Sequence, residues 1–300
     1  MGIEFFQCLP DPSYAQGFAR GPGEAANPEL WDGLVGAWMP SLGPSGSTLM
    51  DISGRGNHGT LTNMDPATDW VPGPNGYALD FDGTNDFINI GVSSWGASIA
   101  RGVTVSGRVR MTGALAQRGW FGGFLAGANT SLFVEFNANS ANGTEEGGIR
   151  AYVGNGAGST LAGGVNIDSG ISDGGWHFLS VAFHSSSAII SVYLDGRLQP
   201  FVYSNTNTIT STIAFAQDNY IGALNVNGTA AEPFSGEIDS LSIHNRALSP
   251  SEILHLYEDP MALVRRRGVP FAVSGAAPAG HVGPLVNGPI LKSKLRGLAA

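Results

Sequence analysis

The carboxylates are the residues of this sequence that could do chemistry, and their spacing does not form a catalytic set. Cleavage of a glycosidic bond needs two carboxylates about 5–9 Å apart. Glu135 stands alone on the predicted exposed face of a strand, and the pair Glu145-Glu146 lies in a loop-like stretch. The sequence has no H-E-x-x-H or phosphate-binding loop, and its six histidines lack the spacing of zinc ligands. We therefore expect no enzyme activity.

Asp239 is the acid in the most unusual position. In the segment GEIDSLSIH, Leu241 and Ile243 should face the core, and a two-residue period places Asp239 on the same inner face. A buried carboxylate is unfavourable unless it is paired, hydrogen-bonded or bound to a metal. Two interpretations stay open: Asp239 is a metal ligand, or it accepts backbone N–H bonds at a strand end.

A second group that could bind a ligand is aromatic. Trp95 and Trp120 lie in or near loop-like stretches, and Tyr152 and Tyr203 are candidates beside them. Exposed rings can stack on sugars, although most rings in a β-sandwich belong to its core. We take these four residues as a candidate glycan-binding set.

The elements that must position these residues are mainly strands. Apolar and polar residues alternate along Val103–Met111, Leu132–Phe136, Leu179–Phe183 and Ile190–Leu194, which predicts half-buried strands. Ser249-Pro250-Ser251-Glu252 predicts a capped helix start. Residues 1–30 and 261–300 are rich in Gly and Pro and show neither period. We therefore predict an all-β domain over 31–260, between an extended N-terminal arm and an extended C-terminal arm.

Charge and composition limit the partners. Of 300 residues, 13% are charged and 44 are glycine, which suits short strands and tight turns. The net charge of −9 disfavours nucleic acid as the main partner. Residues after Asp259 carry six cations and no acid, and this basic segment is either solvated or docked on an acidic partner. The start lacks the pattern of a Sec signal, and no apolar run predicts a membrane span.

Six pieces of the sequence, in order, resemble the laminin-G-like branch of the concanavalin A-like lectin/glucanase superfamily. They are GLVGAW, DISGRGNHGTLTN, ALDFDGTNDFINI, GGWHFLSVAFHSSSAIISVYLDGRLQ, NYIGAL and GEIDSLSIHNRALSPSEILHLY. The resemblance implies two antiparallel sheets packed as a jelly-roll sandwich, and members that bind glycans or proteins. The head and tail composition is similar to that of copies encoded by phages and prophages.

The resemblance also implies a possible structural Ca²⁺. In the family, an Asp at the place of Asp239 helps to hold this ion, and Asp51 and Asn57 are the matching oxygen donors here. Calcium takes six to eight oxygen ligands, so backbone carbonyls would complete such a site.

Three functions follow as hypotheses. The first is a phage virion structural protein, such as a capsid decoration or head/tail accessory protein, made in the host cytoplasm and located in the virion. Its arms would bind the major capsid protein or other virion subunits through Arg265, Arg266 and Arg267, whose alternative role is simple solubility. We also expect a homo-oligomer, with a trimer as the first guess. The alternatives are a free glycan-binding (adhesion) module and, more remotely, a glycoside hydrolase.

Overall fold

The chain folds into two antiparallel sheets that pack face to face. The computed structural model describes residues 11–91, 102–112, 116–125, 130–137, 148–155, 160–165, 171–185, 187–206 and 218–268. These residues all fall within one compact unit, Cys8–Gly268. Strands are numbered in chain order, and the two sheets are named sheet A and sheet B. The predicted all-β, two-sheet antiparallel sandwich is confirmed.

Sheet A has eight strands among the described residues. Their spatial order is β14 (Arg197–Gln199), β13 (Ile189–Leu194), β12 (Trp176–His184), β7 (Val103–Met111), β19 (Ser235–His244), β5 (Gly76–Asp82) and β4 (Trp70–Gly73), with β1 (Leu34–Trp38) also paired to β19. The last strand β19 therefore lies between β7 and β5 and also pairs with β1.

Sheet B has eleven strands among the described residues. Nine of them run in the order β15 (Val202–Thr206), β11 (Thr160–Val165), β10 (Gly148–Asn155), β9 (Thr130–Asn137), β8 (Arg118–Leu125), β16 (Tyr220–Ile221), β6 (Phe87–Asn89), β3 (Gly59–Thr62) and β2 (Thr48–Leu49). The other two form the hairpin β17 (Leu224–Val226)–β18 (Thr229–Ala231), and β17 pairs with β8 in parallel.

The core lies between the two sheets and follows the predicted alternation. The inward residues of β7, β9, β12 and β13 all belong to one buried apolar cluster: Val103, Val105, Val109, Met111, Leu132, Val134, Phe136, Leu179, Val181, Phe183, Ile190, Val192 and Leu194. Because successive side chains point to opposite sides of a strand, the intervening residues of β9 lie on the outer side of sheet B.

A third layer covers sheet A and changes the predicted domain boundaries. It consists of residues 11–33 and 248–268, and we call it the terminal layer. It contains the helix α1 (Pro250–Glu258), whose predicted capping box is present, and two short 3₁₀ turns, Pro28–Trp31 and Pro40–Leu42, lie in or beside it. Its buried residues, among them Leu30, Ile253 and Leu263, pack with Phe178 and Tyr193 of sheet A.

Backbone pairing holds the two parts of the terminal layer together. Ala19 N–H donates to the carbonyl of Val264 at 2.8 Å, and Arg267 N–H donates to that of Glu24 at 2.7 Å. The indole N–H of Trp31 donates to the carbonyl of Leu263 at 2.9 Å. The prediction of arms over 1–30 and 261–300 was therefore wrong for residues 11–30 and 261–268, because each segment gives the other the hydrogen bonds and apolar cover that neither has alone. No helix among the described residues is long and apolar enough to cross a membrane.

Candidate functional site

The outer side of sheet B carries two groups of side chains in neighbouring strands. In β9, Phe133 and Glu135 alternate with the core residues Leu132, Val134 and Phe136. The register pairs Phe133 with Tyr152 and Glu135 with Arg150 across β9 and β10. Since paired residues share a side of a sheet, all four of these side chains lie on the outer side.

The first group is aromatic and consists of Phe124, Phe133 and Tyr152; we call it the aromatic cluster. The rings of Phe133 and Tyr152 stack with centroids 4.8 Å apart and planes 5° apart. Phe124 meets both rings edge-on, at 6.1 Å and 5.8 Å. Phe133 is buried, whereas Phe124 and Tyr152 are half-buried. The cluster therefore presents partly accessible planar apolar surface with fixed geometry.

The second group is polar and consists of Gln117, Glu135, Arg150 and Glu232; we call it the acid cluster. Arg150 Nη1 donates to Glu135 Oε1 at 2.6 Å, and Gln117 Nε2 lies 3.4 Å and 3.3 Å from the two oxygens of Glu135. The guanidinium of Arg150 also lies over the ring of Phe133, 5.3 Å from its centroid. The aromatic and acid clusters are thus contiguous.

Two carboxyl groups meet in the acid cluster. Glu232 hydrogen bonds to Glu135, and burial, followed by this bond and the charge of Glu135, raises the pKa of Glu232 to about 9. Glu232 is therefore protonated at neutral pH and donates to Glu135. A hydrogen bond brings the two groups closer than the roughly 5 Å that separates the acids of glycosidases. Within the Arg150–Glu135 pair the side chain of Arg150 is 19% exposed and that of Glu135 is 1% exposed, so the guanidinium is the group that a ligand can reach.

The pairing of Glu135 with Glu232 was not predicted from the sequence. Glu135 was expected to be exposed and alone, but only 1% of it is exposed, because the segment after β18 brings Glu232 against it. The sequence signal for that hairpin was the dipeptide Asn227-Gly228, whose residues adopt φ of 53° and 87° as a tight hairpin turn requires.

The predicted calcium ligands do not fit a metal site. Both oxygens of Asp51 accept hydrogen bonds from the chain: Oδ1 from Ala37 N–H and Ser53 N–H, and Oδ2 from Ser53 Oγ and Asn57 N–H. Asn57 Nδ2 donates to the carbonyl of Val35 at 2.9 Å. Among the described residues, no group of three or more His, Cys, Asp or Glu could hold a metal ion. The calcium ion stays a prediction that this geometry does not support.

Asp239 is buried, as predicted, but its surroundings explain it without a metal. The register between β19 and β7 shifts between Ile238 and Ser240, which leaves Asp239 as the extra residue of a bulge. Its oxygens accept from Asn75 Nδ2 at 2.8 Å and from Ser240 Oγ at 2.9 Å. Burial raises the pKa of Asp239, and these hydrogen bonds oppose that rise.

The predictions for the four glycan-binding aromatic residues have different outcomes. Tyr152 lies in the aromatic cluster, on the outer side of sheet B. Trp120 is fully buried and packs with Phe136 in the core, so its prediction as a surface ring was wrong. Its strand β8 contains a register shift between Gly119 and Phe121, which leaves Trp120 as the extra residue of a bulge. The backbone of Tyr203 pairs with Gly163 in β15 and β11. Trp95 lies outside the described residues.

The predicted arginine cluster is divided. Arg265 is held within the chain by Asp259, at 2.6 Å, and by Asp11, at 3.0 Å. These carboxylates lower its availability to a partner, since its donors are already occupied. Arg266 and Arg267 are exposed. Partner binding by the latter two stays a prediction.

Solved structures of other proteins have a similar fold. Domain 4 of AbnA, a GH43 extracellular arabinanase from Geobacillus stearothermophilus, solved in complex with arabinotriose, is 19% identical, with a TM-score of 0.51 over 75% of this chain and 98% of that one. The receptor binding domain of a botulinum neurotoxin C/D mosaic serotype is 12% identical, with a TM-score of 0.53 over 76% of this chain and 51% of that one. At these identities the similarity shows the fold.

The family is shown by sequence. No curated protein matches the chain. A family model described as the concanavalin A-like lectin/glucanases superfamily matches residues 78–254, which is more than half of the chain. The match includes β7 to β19 of the sandwich, with the aromatic and acid clusters. The chain therefore belongs to the concanavalin A-like lectin/glucanases superfamily.

Proposed function

We propose that this domain is a non-catalytic glycan-binding module that holds a saccharide on the outer side of sheet B. The observation that carries the proposal is the contact between the aromatic cluster and the acid cluster, through Arg150 over the ring of Phe133. A sugar ring has apolar C–H faces and a rim of hydroxyl groups. Rings of Phe or Tyr suit the faces, and carboxylate and guanidinium groups suit the hydroxyls.

The charges of the site favour a neutral saccharide. Arg150 is paired with Glu135, and Glu232 is protonated at neutral pH because its pKa is raised to about 9. The three side chains together then carry no net charge. An anionic sugar would have to compete with Glu135 for Arg150, whereas hydroxyl groups need no such exchange.

The structural relatives suggest the first ligands to test. The arabinanase domain named above was solved with arabinotriose, so arabinotriose and longer neutral oligosaccharides are the natural first series. The shared fold supports this choice of ligands. We expect a bound ligand to contact this chain's own residues, chiefly Tyr152.

The test is a glycan array on the full chain, followed by calorimetric titration of the best ligand. Tyr152→Ala should weaken binding about tenfold, which corresponds to about 1.4 kcal/mol. Tyr77→Ala is the control, because Tyr77 is an exposed tyrosine, 39% accessible, on sheet A, away from the proposed site. Equal affinity of the Tyr152→Ala protein and the wild type would refute this site. Parallel titrations with Ca²⁺ and with EDTA test the calcium prediction.

The absence of catalysis is part of the proposal and has its own test. Glu135 and Glu232 are hydrogen-bonded to each other, so no glycosidic oxygen fits between them as the two-carboxylate mechanism requires. We expect no release of reducing sugar from any ligand that binds. Release that disappears in Glu135→Gln would overturn this part of the proposal.

We also propose, as a second function, that the module is displayed on a phage particle as a capsid decoration or head/tail accessory protein. The supporting observation is the charge contrast: residues 269–300 carry three cations and no acid, whereas residues 1–268 carry 12 cations and 24 acids, a net −12. Since Arg265 is engaged internally, the cations left for anchoring are the exposed Arg266 and Arg267 together with Lys292, Lys294 and Arg296. The acidic partner would be a capsid protein or another virion subunit.

Particle incorporation tests this second function. The full chain and a chain that ends at Gly268 are each expressed in cells that produce the particle, and purified particles are probed for both. The shorter chain should fold and still bind glycan but be missing from particles. Its incorporation at the level of the full chain would contradict anchoring by 269–300. Light scattering on both chains tests the expected homo-oligomer and the trimer.

A further inference from the structure

We propose that Glu135 and Glu232 share one proton, and that the resulting hydrogen bond holds the β17–β18 hairpin against β8 and β9, beside the aromatic cluster. We call this hydrogen bond the clasp. The clasp is closed in acid and neutral solution and opens in alkali. The inference concerns how the face is assembled, so it does not depend on which ligand binds there.

The β17–β18 hairpin runs along β8, and backbone hydrogen bonds join it to β8 near both ends. Near its turn, Asn227 N–H donates to the carbonyl of Phe124 at 3.0 Å, and Val226 pairs with Phe124. Near its end, Gly119 N–H donates to the carbonyl of Glu232 at 2.6 Å. Phe124 belongs to the aromatic cluster, so the hairpin supports one of the three rings directly.

Close approach at Gly119 allows Glu232 to reach β9. A Cβ at Gly119 would lie 2.6 Å from Leu224 N and 2.7 Å from Ala223 C, so only glycine lets the hairpin strand pack this tightly. Gly119 is the register partner of Glu135. Glu232 itself adopts φ of 54°, a left-handed conformation that is unfavourable for a side chain of this type and persists only where its surroundings hold it.

The shared group is a proton and not a metal ion. Two carboxyl groups can hydrogen bond to each other only when one of them is protonated. Arg150, 2.6 Å from Glu135, already supplies the positive charge that a cation would bring. Oε2 of Glu232 is buried and accepts no hydrogen bond from a donor among the described residues, a position that a neutral acid tolerates better than a carboxylate.

The charged groups around the pair set the direction of the pH effect. Gln117 comes from just before β8 and Arg118 from its first position, Glu135 comes from β9 and Arg150 from β10. Arg118 Nη1 is engaged with the carbonyls of Gly83 and Pro233, at 3.3 Å and 3.0 Å. When Glu232 ionises, two adjacent negative charges therefore face Arg150 as their nearest cation, and the two carboxylates repel each other.

The sign of the linkage follows from the two states of Glu232. In the clasp the pKa of Glu232 is raised to about 9, and in water it has its ordinary value of 4.5. Between these values the closed state holds one more proton than the open state. The clasp is therefore fully stabilised below pH 4.5. It weakens between pH 4.5 and 9, by up to about tenfold in the opening constant per pH unit, and its contribution is lost above about pH 9.

Hydrogen exchange on the full chain measures this opening. Amide exchange of residues 119 and 224–232, corrected for the base catalysis of free peptides, gives the opening constant of the hairpin at each pH from 5 to 10. In wild type the constant should rise by up to tenfold per pH unit and then level off above about pH 9. In Glu232→Gln, which is neutral at every pH, the constant should not change with pH.

Controls separate the clasp from general alkaline loosening. Glu258→Gln removes an exposed carboxylate on α1 and should keep the wild-type slope. Amides of β7 in sheet A should show no such slope in any of the three proteins. The same slope in Glu232→Gln as in wild type, or a wild-type hairpin with no slope, overturns the proposal. Neither outcome bears on glycan binding, which is measured separately through Tyr152.

Discussion

Arg246 is the residue whose removal tests the terminal layer most directly. Its guanidinium binds both oxygens of Glu252 on α1, at 2.9 Å and 2.6 Å. It also donates to the backbone carbonyls of Asp32, at 2.7 Å, and Glu29, at 3.2 Å. One buried side chain, 9% exposed, thus joins the helix to the segment that was predicted to be a free arm.

The magnitude follows from the burial of both partners. Removing one member of a buried ion pair typically costs about 3–5 kcal/mol, because the other charge is left buried and unpaired. The side chain of Glu252 is 20% exposed, so water can relieve part of the penalty and the lower end, about 3 kcal/mol, applies. For a domain of this size, that loss lowers Tm by roughly 6–12 °C.

The assay is thermal unfolding of Arg246→Met at pH 7, followed by circular dichroism. Methionine keeps most of the apolar stem, so the change isolates the charge and its hydrogen bonds. Arg55→Met is the matched control, because Arg55 is exposed, and its Tm should move by less than about 2 °C. If Arg246→Met unfolds at the same temperature as Arg55→Met, residues 29–32 do not pack as described and the argument fails.

Three further predictions concern stability. The pKa of Glu252 is lowered to about 2, chiefly by its hydrogen bonds with Arg246, so its stabilisation is present above pH 4.5 and lost as pH falls towards 2; the Tm of Glu252→Gln should depend less on pH there. Gly222→Ala should cost about 2–4 kcal/mol in denaturant unfolding, since φ is +80° and a Cβ would lie 2.1 Å from Phe81. A 31–260 fragment should melt at least about 10 °C below an 11–268 fragment, because it lacks most of the terminal layer; equal melting would contradict that packing.

Local patterns in the sequence were sufficient for the strands and for the helix start. The alternation in Val103–Met111 and Leu179–Phe183 predicted strands whose inward residues are indeed in the core. The capping box at Ser249 is present because its donors and acceptors lie within four residues of one another. Such features depend on neighbours along the chain, which the sequence displays directly.

The candidate site could be predicted only in part, because its residues come from distant segments. Tyr152 was named from the sequence, but its stacking on Phe133 depends on the register between β9 and β10. Trp120 was assigned to a loop-like stretch, whereas it lies in β8, where the register shifts between Gly119 and Phe121. A two-residue period cannot reveal such a shift, since it holds only while the pairing stays regular.

The sequence by itself determined the architecture: alternating strands, a capped helix and a low charge content lead to one antiparallel sandwich. Tertiary structure alone decided where the polar chemistry lies and where the domain ends. Glu135 and Glu232 form one acid pair only because the β17–β18 hairpin folds along β8. Residues 11–30 pack on the sandwich through partners from distant segments, among them residues 261–268 and Arg246. A carboxylate or a Gly-rich segment acquires its role from what it contacts, and contacts between distant segments are set by the packing of the whole chain.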